Sequence, residues 1–403
     1  MTELKAIKIS DSVYWVGAID WNVRNFHGYN TSRGTTYNAF LIIDEKITLI
    51  DVVKKGFFDE MKQRIASVIE PEKIDYFISN HSEPDHTGTL QQAIKEFKPE
   101  KVFASKMGVK AINAHYDLGF DITKVDDGER LNIGKKNISF METRMLHWPD
   151  SMFSYLEEEK VLFSQDAFGM HLASSERFGG ELSWDILKRQ AESYYANIIT
   201  LYSPHVLRLL KKIEESGMQI DVIAPDHGPV WKGDDKFKRL LTLYQKWSSR
   251  DVDNKVVIIY DTMWKATETM ARYIEDGVRS AGVKVEVMCL SNTARSDVAD
   301  EMLNAAGIIV GSSTLNNNML PSVADNLTYI KGLKFNTPYA AAFGSFGWSG
   351  EAVKQISKIL EETESELIGT VSVQYTPKDE TKQLCFELGT KMAEKIKSKE
   401  EKQ

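Results

Sequence analysis

Cysteine is nearly absent from the sequence. Cys289 and Cys385 are the only two in 403 residues, which excludes a disulfide-held scaffold and any four-cysteine metal site. No apolar run approaches the ~18 residues of a membrane-spanning helix. The opening segment, Met1–Ser10, carries Lys5 and Lys8 but no apolar stretch of the length a secretory signal needs. Basic blocks are missing too. With 50 Lys+Arg against 58 Asp+Glu, the net charge is −8, a balance that argues against nucleic acid or an anionic membrane as partner. There is no Gly-x-Gly-x-x-Gly fingerprint, so direct binding of a nicotinamide dinucleotide is disfavoured. The expected address is the cytoplasm.

What is present suggests two domains. At ~150 residues per domain the length allows two or three, and 42% hydrophobic residues can fill substantial cores. Two styles of sequence meet near residue 250. Residues 1–250 mix strand-like runs (Val13–Asp20, Tyr37–Ile43, Ile47–Val53, Ile74–Ser79, Ile138–Thr143) with helical stretches, the order of a layered α/β domain. Residues 251–403 are more regular. Apolar runs Val256–Tyr260, Val283–Leu290, Gly307–Gly311, Tyr339–Phe343 and Leu367–Val373 alternate with helical segments, the signature of a doubly wound parallel sheet. The polar Lys246–Asn254 is the expected linker, and the charged tail Lys397–Gln403 is expected to fray.

The sharpest local feature is His81-Ser82-Glu83-Pro84-Asp85-His86, directly after an apolar run. Four ligand-type side chains within six residues can surround a metal pair if the segment is an irregular loop, as Pro84 suggests. A regular helix would scatter them over different faces, ~100° apart per residue. Further candidates follow at strand ends: His147 in Leu-His-Trp-Pro-Asp, Asp166 after Lys160–Gln165, and His227 in Pro-Asp-His-Gly-Pro. Carboxylates mixed with imidazoles make an oxygen-rich site that suits iron better than an all-imidazole pocket does, although zinc binds such groups too. His115, His171 and His205 have no pattern and read as surface or structural.

In the second half, Asp261 opens a hydroxyl-bearing loop, Thr262-Met263-Trp264-Lys265-Ala266-Thr267, that leads into a helix. Free backbone N–H groups and the positive end of a helix dipole favour phosphate there. Two more loops follow the third and fourth strands: Ser312-Ser313-Thr314-Leu315-Asn316-Asn317-Asn318 and Gly344-Ser345-Phe346-Gly347-Trp348-Ser349-Gly350. All three lie at strand carboxyl ends around the switch point where such sheets bind ligands. Trp348, flanked by glycines, is the expected contact to the face of a flat ring system.

The spacing His-x-Glu-x-Asp-His, then His, Asp and His, resembles the metallo-β-lactamase fold in its flavodiiron form; zinc hydrolases of that fold have His where this chain has Glu83. The loop after the first flavodoxin-like strand is similar to Ser/Thr-x-Thr-Gly-x-Thr, with Thr262 and Thr267 matching and Trp264 and Lys265 departing. Stretches such as Met145–Met152 and Ala342–Gly350 look like the rubredoxin:oxygen oxidoreductase and nitric oxide reductase members. The resemblance spans nearly the whole chain.

It implies an N-terminal αββα sandwich holding two irons per subunit and a C-terminal flavodoxin-like domain holding FMN. One iron would lie on His81, Glu83 and His147, the other on Asp85, His86 and His227, with Asp166 bridging. His27 and Tyr195 would line the pocket and hydrogen-bond dioxygen or nitric oxide. It also implies separate rubredoxin as electron donor, with reduced deazaflavin coenzyme as second choice, and a head-to-tail homodimer or a dimer of such dimers. Two rival readings remain: a zinc hydrolase carrying a regulatory flavin domain, and a non-enzymatic electron carrier with a vestigial metal site.

Overall fold

The computed structural model of the protein describes residues 4–233 and 235–400. The chain forms two compact units. The first comprises the chain up to His27, Thr31–Tyr194 and Pro204–Gln245; the second takes Gly28–Asn30, Tyr195–Ser203 and the chain from Lys246 onward. Little of the expected linker is irregular, because Lys246–Ser249 ends the helix Asp235–Ser249 and Asp253 already starts the next strand. The helix Asp379–Glu400 runs through most of the tail expected to fray; residues 401–403 lie outside the described part.

The first unit is built on two main sheets. One has seven strands, among them Val13–Trp15, Phe40–Ile42, Thr48–Ile50, Tyr76–Ser79 and Lys101–Ser105; the other has six, from Arg130–Asn132 to Trp231–Lys232. Alternate residues of both sheets meet in one core: Val13, Trp15, Phe40, Ile50 and Ile78 from the first, Ile138, Phe140, Leu156, Phe163 and Ala224 from the second. Helices Phe58–Ala66 and Leu90–Phe97 cover the outer face of the first sheet through Met61, Ile65, Leu90, Ala93 and Phe97. Phe153 and Leu162, from strands of the second sheet, are buried outside that central core, so this sheet too is covered on both faces.

Two of the expected strands are broken. Val13–Asp20 is Val13–Trp15 and Ala18–Asp20, and the run expected from Tyr37 is Thr35–Tyr37 and Phe40–Ile42, with the pieces in different sheets. The breaks face one another: a Cβ on Gly17 would lie 2.3 Å from the Tyr37 carbonyl. The double bend turns Thr35–Asn38 away from the large sheet.

The second unit is a five-stranded parallel sheet in the order Lys284–Cys289, Asp253–Asp261, Ala305–Leu315, Tyr339–Phe346, Glu366–Gln374. All five expected strands are present, each in the place the doubly wound pattern requires. Two apolar cores lie on its faces. Helices Ala266–Ser280 and Asp379–Glu400 cross at close range, for a Cβ on Gly277 would lie 2.1 Å from the Phe386 carbonyl and one on Gly389 2.1 Å from that of Ile274.

Candidate functional site

The seven ligand-type residues of the first unit converge. His81 and Glu83 follow strand Tyr76–Ser79, whereas Pro84–Thr87 is a short helical turn rather than the expected irregular loop. Proline suits its first position, where a missing N–H costs nothing; Glu83 is the extended N-cap. Asp166 and His227 stand just past the ends of the adjacent parallel strands Val161–Gln165 and Val222–Pro225. His147 lies in the loop before Met152–Leu156.

Ligand atoms of His81, Glu83, His147 and Asp166 lie within 4.8 Å of one another, and so do those of Asp85, His86 and His227. Asp166 belongs to both groups by geometry. Its Oδ2 is 2.9 Å from His147 Nε2 and 3.4 Å from His81 Nε2, while its Oδ1 is 3.2 Å from His86 Nε2 and 3.4 Å from His227 Nε2. Six of the seven side chains are buried, His147 nearly so.

The groups behind the ligands fix their orientation. His227 Nδ1 donates to the Thr36 carbonyl at 2.6 Å, which leaves the lone pair on Nε2 facing the cluster. The loop carrying His227 is gripped by Asn38, whose amide donates to the carbonyls of Pro225 at 2.6 Å and Gly228 at 3.0 Å and whose Oδ1 accepts from Trp15 Nε1 at 2.8 Å. This is what the break in the Tyr37 strand achieves. His81 Nδ1 lies 3.1 Å from Asp150 Oδ2, and Asp150 in turn accepts from Ser82 N and Oγ at 2.6 and 2.7 Å.

Burial opposes the charge on His81 and His86, but Asp150, Glu83 and Asp166 around the first, and Asp85, Asp226 and Asp166 around the second, outweigh it and hold both well above the ordinary histidine range. Burial would likewise raise the Asp166 carboxyl; His86, His147 and His227 instead hold it well below the usual carboxylate range. The cluster is therefore a lattice of opposed charges. Both oxygens of Asp85, Nε2 of His86 and Oδ1 of Asp166 are nonetheless buried without a hydrogen bond, a costly state that cations would relieve. The donor set fits a pair of metal ions.

His27 has a positive φ of 55° and its Nε2 lies 3.2 Å from Glu83 Oε1. With Phe26, Lys54, His115 and Tyr116 it lines a cavity of about 540 Å³ that reaches Glu83 and Asp85. Tyr195 bonds Ser203 Oγ through its hydroxyl at 3.0 Å and sets its ring 5.0 Å from Trp247. Its neighbour Tyr194 is the tyrosine whose ring stands 5.0 Å from His171 and 6.2 Å from His227. His171 is fully buried, its ring 4.7 Å from that of His227 and its Nδ1 2.9 Å from Thr35 Oγ1. Sequence reasoning missed both. The position of His171, five residues past Asp166 in a continuously buried segment, was the available signal.

In the second unit, Met263, Trp264, Ala266, Ser313–Asn317 and Ser345–Ser349 line a cavity of about 510 Å³, joined by Tyr375 and Thr376. The last two went unnoticed in the sequence, although they follow the fifth strand at the same carboxyl edge. Thr267, Ser313 and Ser345 form a triangle of buried hydroxyls, with Thr267 Oγ1 3.0 Å from each of the other two. Thr262 Oγ1 is buried without a partner, Lys265 takes φ 64° ahead of the helix, and Gly350 precedes the helix Glu351–Glu361. Trp264 and Trp348 are 90% and 88% exposed at the rim. An unsatisfied hydroxyl beside a helix start, with two indoles at an open cavity, fits a phosphate joined to a flat ring system.

Comparison with known proteins agrees with both halves. A profile described as ODP family beta lactamase matches residues 35–228, and one described as flavodoxin matches residues 258–389. The chain is 45% identical to a rubredoxin-oxygen oxidoreductase of Megalodesulfovibrio gigas, over 89% of each chain, and 40% identical to a nitric oxide reductase of Moorella thermoacetica, over 97% of this chain and 98% of the other. The crystal structure of the flavodiiron protein from Giardia intestinalis matches with a TM-score of 0.94 at 32% identity, covering 99% of this chain and 98% of that one. The chain belongs to the flavodiiron protein family. It is an oxidoreductase, and its cofactors are FMN and a diiron site.

Proposed function

We propose that this chain reduces dioxygen to water, nitric oxide to nitrous oxide, or both, at the paired-metal cluster, with electrons reaching it by way of the flavin loops. When bound, FMN supplies one-electron transfers and the two irons supply a reducing site for a small gas. His81, Glu83 and His147 would hold one ion, Asp85, His86 and His227 the other, and Asp166 would bridge them. The observation that carries the reading is the placement of Asp166, one carboxylate oxygen toward each group of histidines.

His27 and Tyr194 are assigned the hydrogen bonds to the gas; the role expected of Tyr195 passes to its neighbour, because Tyr194 has its ring beside His171 and His227. Burial, then the charges of Asp166, Glu83 and Asp85, push the Tyr194 hydroxyl well above its usual range, so it stays a donor at neutral pH. In the second unit, Thr262 and the loop to Thr267 would meet the phosphate, and Trp348 would cover the ring.

The relatives' names support rubredoxin as the donor, with a reduced deazaflavin coenzyme second. The assembly proposed is a head-to-tail homodimer, one subunit's flavin serving the other's irons, either alone or doubled.

Consumption of dioxygen and of nitric oxide by iron- and FMN-replete protein, fed by reduced rubredoxin, tests the reading. Turnover of either gas supports it. Absence of both, with about two zinc ions per chain in place of iron, would return the hydrolase alternative.

A further inference from the structure

Besides Asp150, two buried carboxylates near the cluster belong to neither ligand group: Asp51, 3% exposed, and Asp226, 1% exposed. Asp51 Oδ1 accepts the Asn80 N–H at 2.7 Å. Asp51 Oδ2 and both side-chain oxygens of Asp226 accept no hydrogen bond, an expensive way to bury polar atoms. The Asp226 backbone, in contrast, is fixed on both sides. Its N–H donates to the Gln165 carbonyl at 2.8 Å, and its carbonyl accepts from Asn38 N at 2.8 Å. With its main chain pinned, the side chain extends to His86, where Oδ2 lies 3.5 Å from Nδ1. The other ring nitrogen, Nε2, faces Asp85 and Asp166 at 3.4 and 3.2 Å.

Two other ligands are backed more closely, by hydrogen bonds. His81 is backed at Nδ1 by Asp150 and His227 by the Thr36 carbonyl, and both present Nε2 inward. Asp150 is itself tethered by Ser82, and Thr36 O is backbone. The Asp226 oxygens accept no hydrogen bond and His86 Nδ1 makes none, so the two groups meet only at ion-pair distance. A void of about 10 Å³ beside Asp51, Ser79 and His86 means that the ring is not enclosed by packing alone.

We propose that Asp226 is a positioning residue for His86: its carboxylate draws Nδ1 outward and so keeps Nε2 aimed at the second metal. The proposal rests on the paired-metal reading above. Outer groups of this kind typically set metal affinity by ~10–100-fold, and here the effect is confined to one ion of the two.

Anaerobic titration of ferrous iron into metal-free wild type, Asp226→Ala and Asp226→Asn, followed by Mössbauer spectroscopy, tests it. Wild type takes up two ions. Asp226→Ala keeps the first at wild-type affinity and binds the second ~10–100-fold more weakly, and Asp226→Asn, which preserves the volume, shows the same site-selective loss in smaller measure. Near-UV circular dichroism of the metal-free proteins establishes that both variants are folded; if the alanine variant is not, the asparagine variant decides. Wild-type affinity at both sites, or equal weakening of both, overturns the positioning role and leaves the paired-metal reading standing. Uptake of fewer than two ions by wild type sinks that reading itself and this inference with it.

Discussion

The metal cluster and the flavin cavity are made of opposite materials. Around Asp166 the working atoms are side-chain nitrogens and oxygens, six of the seven residues are buried, and His227 and His81 are backed by Thr36 and Asp150. At the flavin cavity the rings at the rim are almost wholly exposed, and the walls are loop segments delivered by the ends of parallel strands. A desolvated cluster gains its strength from low dielectric and cannot spare a member. An open cavity spreads its binding over many weak contacts. Damage to the first should therefore be local and total, and damage to the second graded or structural.

The largest effect is expected at Asp166. Asp166→Asn keeps the shape but removes the charge between the two groups of histidines. Turnover of both gases should fall by about 10³-fold or more, ~4 kcal/mol in barrier terms, while FMN absorbance and flavin stoichiometry stay at wild-type values. Gas consumption and the visible spectrum are measured on the same sample. Undiminished turnover would remove Asp166 from the site and with it the contrast.

Next comes a change that touches no cofactor. Gly277→Ala inserts a methyl group 2.1 Å from the Phe386 carbonyl where two long helices cross, and backbone cannot yield as a flexible side chain can. Overpacking of this kind costs ~1–3 kcal/mol, so a calorimetric transition assigned to the second unit should fall by several degrees, ~2–4 °C per kcal/mol. Iron content should be unaffected. Loss of iron alongside would show that damage to the second unit also weakens the metal cluster.

A smaller and purely local effect is expected at the rim. Trp348→Ala removes an indole that is 88% exposed, so it contributes little to folding. An aromatic contact to the flavin face is worth ~0.5–1.5 kcal/mol, and fluorescence titration of FMN should show a dissociation constant ~3–10-fold higher with an unchanged melting temperature of the flavin-free protein. An equal dissociation constant would mean that Trp348 does not touch the ring.

The same contrast governs what could be read in advance. His81, Glu83, Asp85, His86, His147, Asp166 and His227 stood out as candidate ligands because metal chemistry demands particular side chains, because four of them crowd into one short segment, and because their spacing resembles the flavodiiron pattern. The flavin loops were recognisable by position alone, at the carboxyl ends of strands whose apolar runs are unmistakable. What stayed hidden depends on backbone detail. Tyr194 and Tyr195 are adjacent on a helix that passes at that point into a wide π turn, Tyr195–Ile199; such turns shift the side-chain register, so no periodicity tells which ring faces His227. The breaks at Gly17 and Asn38 were invisible for a similar reason, since Val13–Asp20 alternates well enough to pass for one strand. His171 offered only its nearness to Asp166 as a signal, because its contact with His227 arises through the fold and not along the chain.

Lys265 allows the comparison to be sharpened within the flavin region itself. It stands at φ 64°, where a Cβ is unfavourable by roughly 1–2 kcal/mol and glycine is not. Lys265→Gly relieves that strain and also gives up some unfolded-state restriction, so the net gain in stability should be below ~1 kcal/mol, a rise of one to a few degrees in the melting temperature of the flavin-free protein. The side chain it removes is a cation beside the helix start where phosphate is expected. If the charge contributes to binding, FMN affinity should fall as stability rises, and the loss should shrink with added salt; Lys265→Met, which keeps the strain and loses the charge, separates the two terms. A variant that gains stability and binds FMN as tightly as before would assign the phosphate to backbone N–H groups and hydroxyls alone. A variant that loses stability would mean that the left-handed turn is held by contacts of the lysine stem.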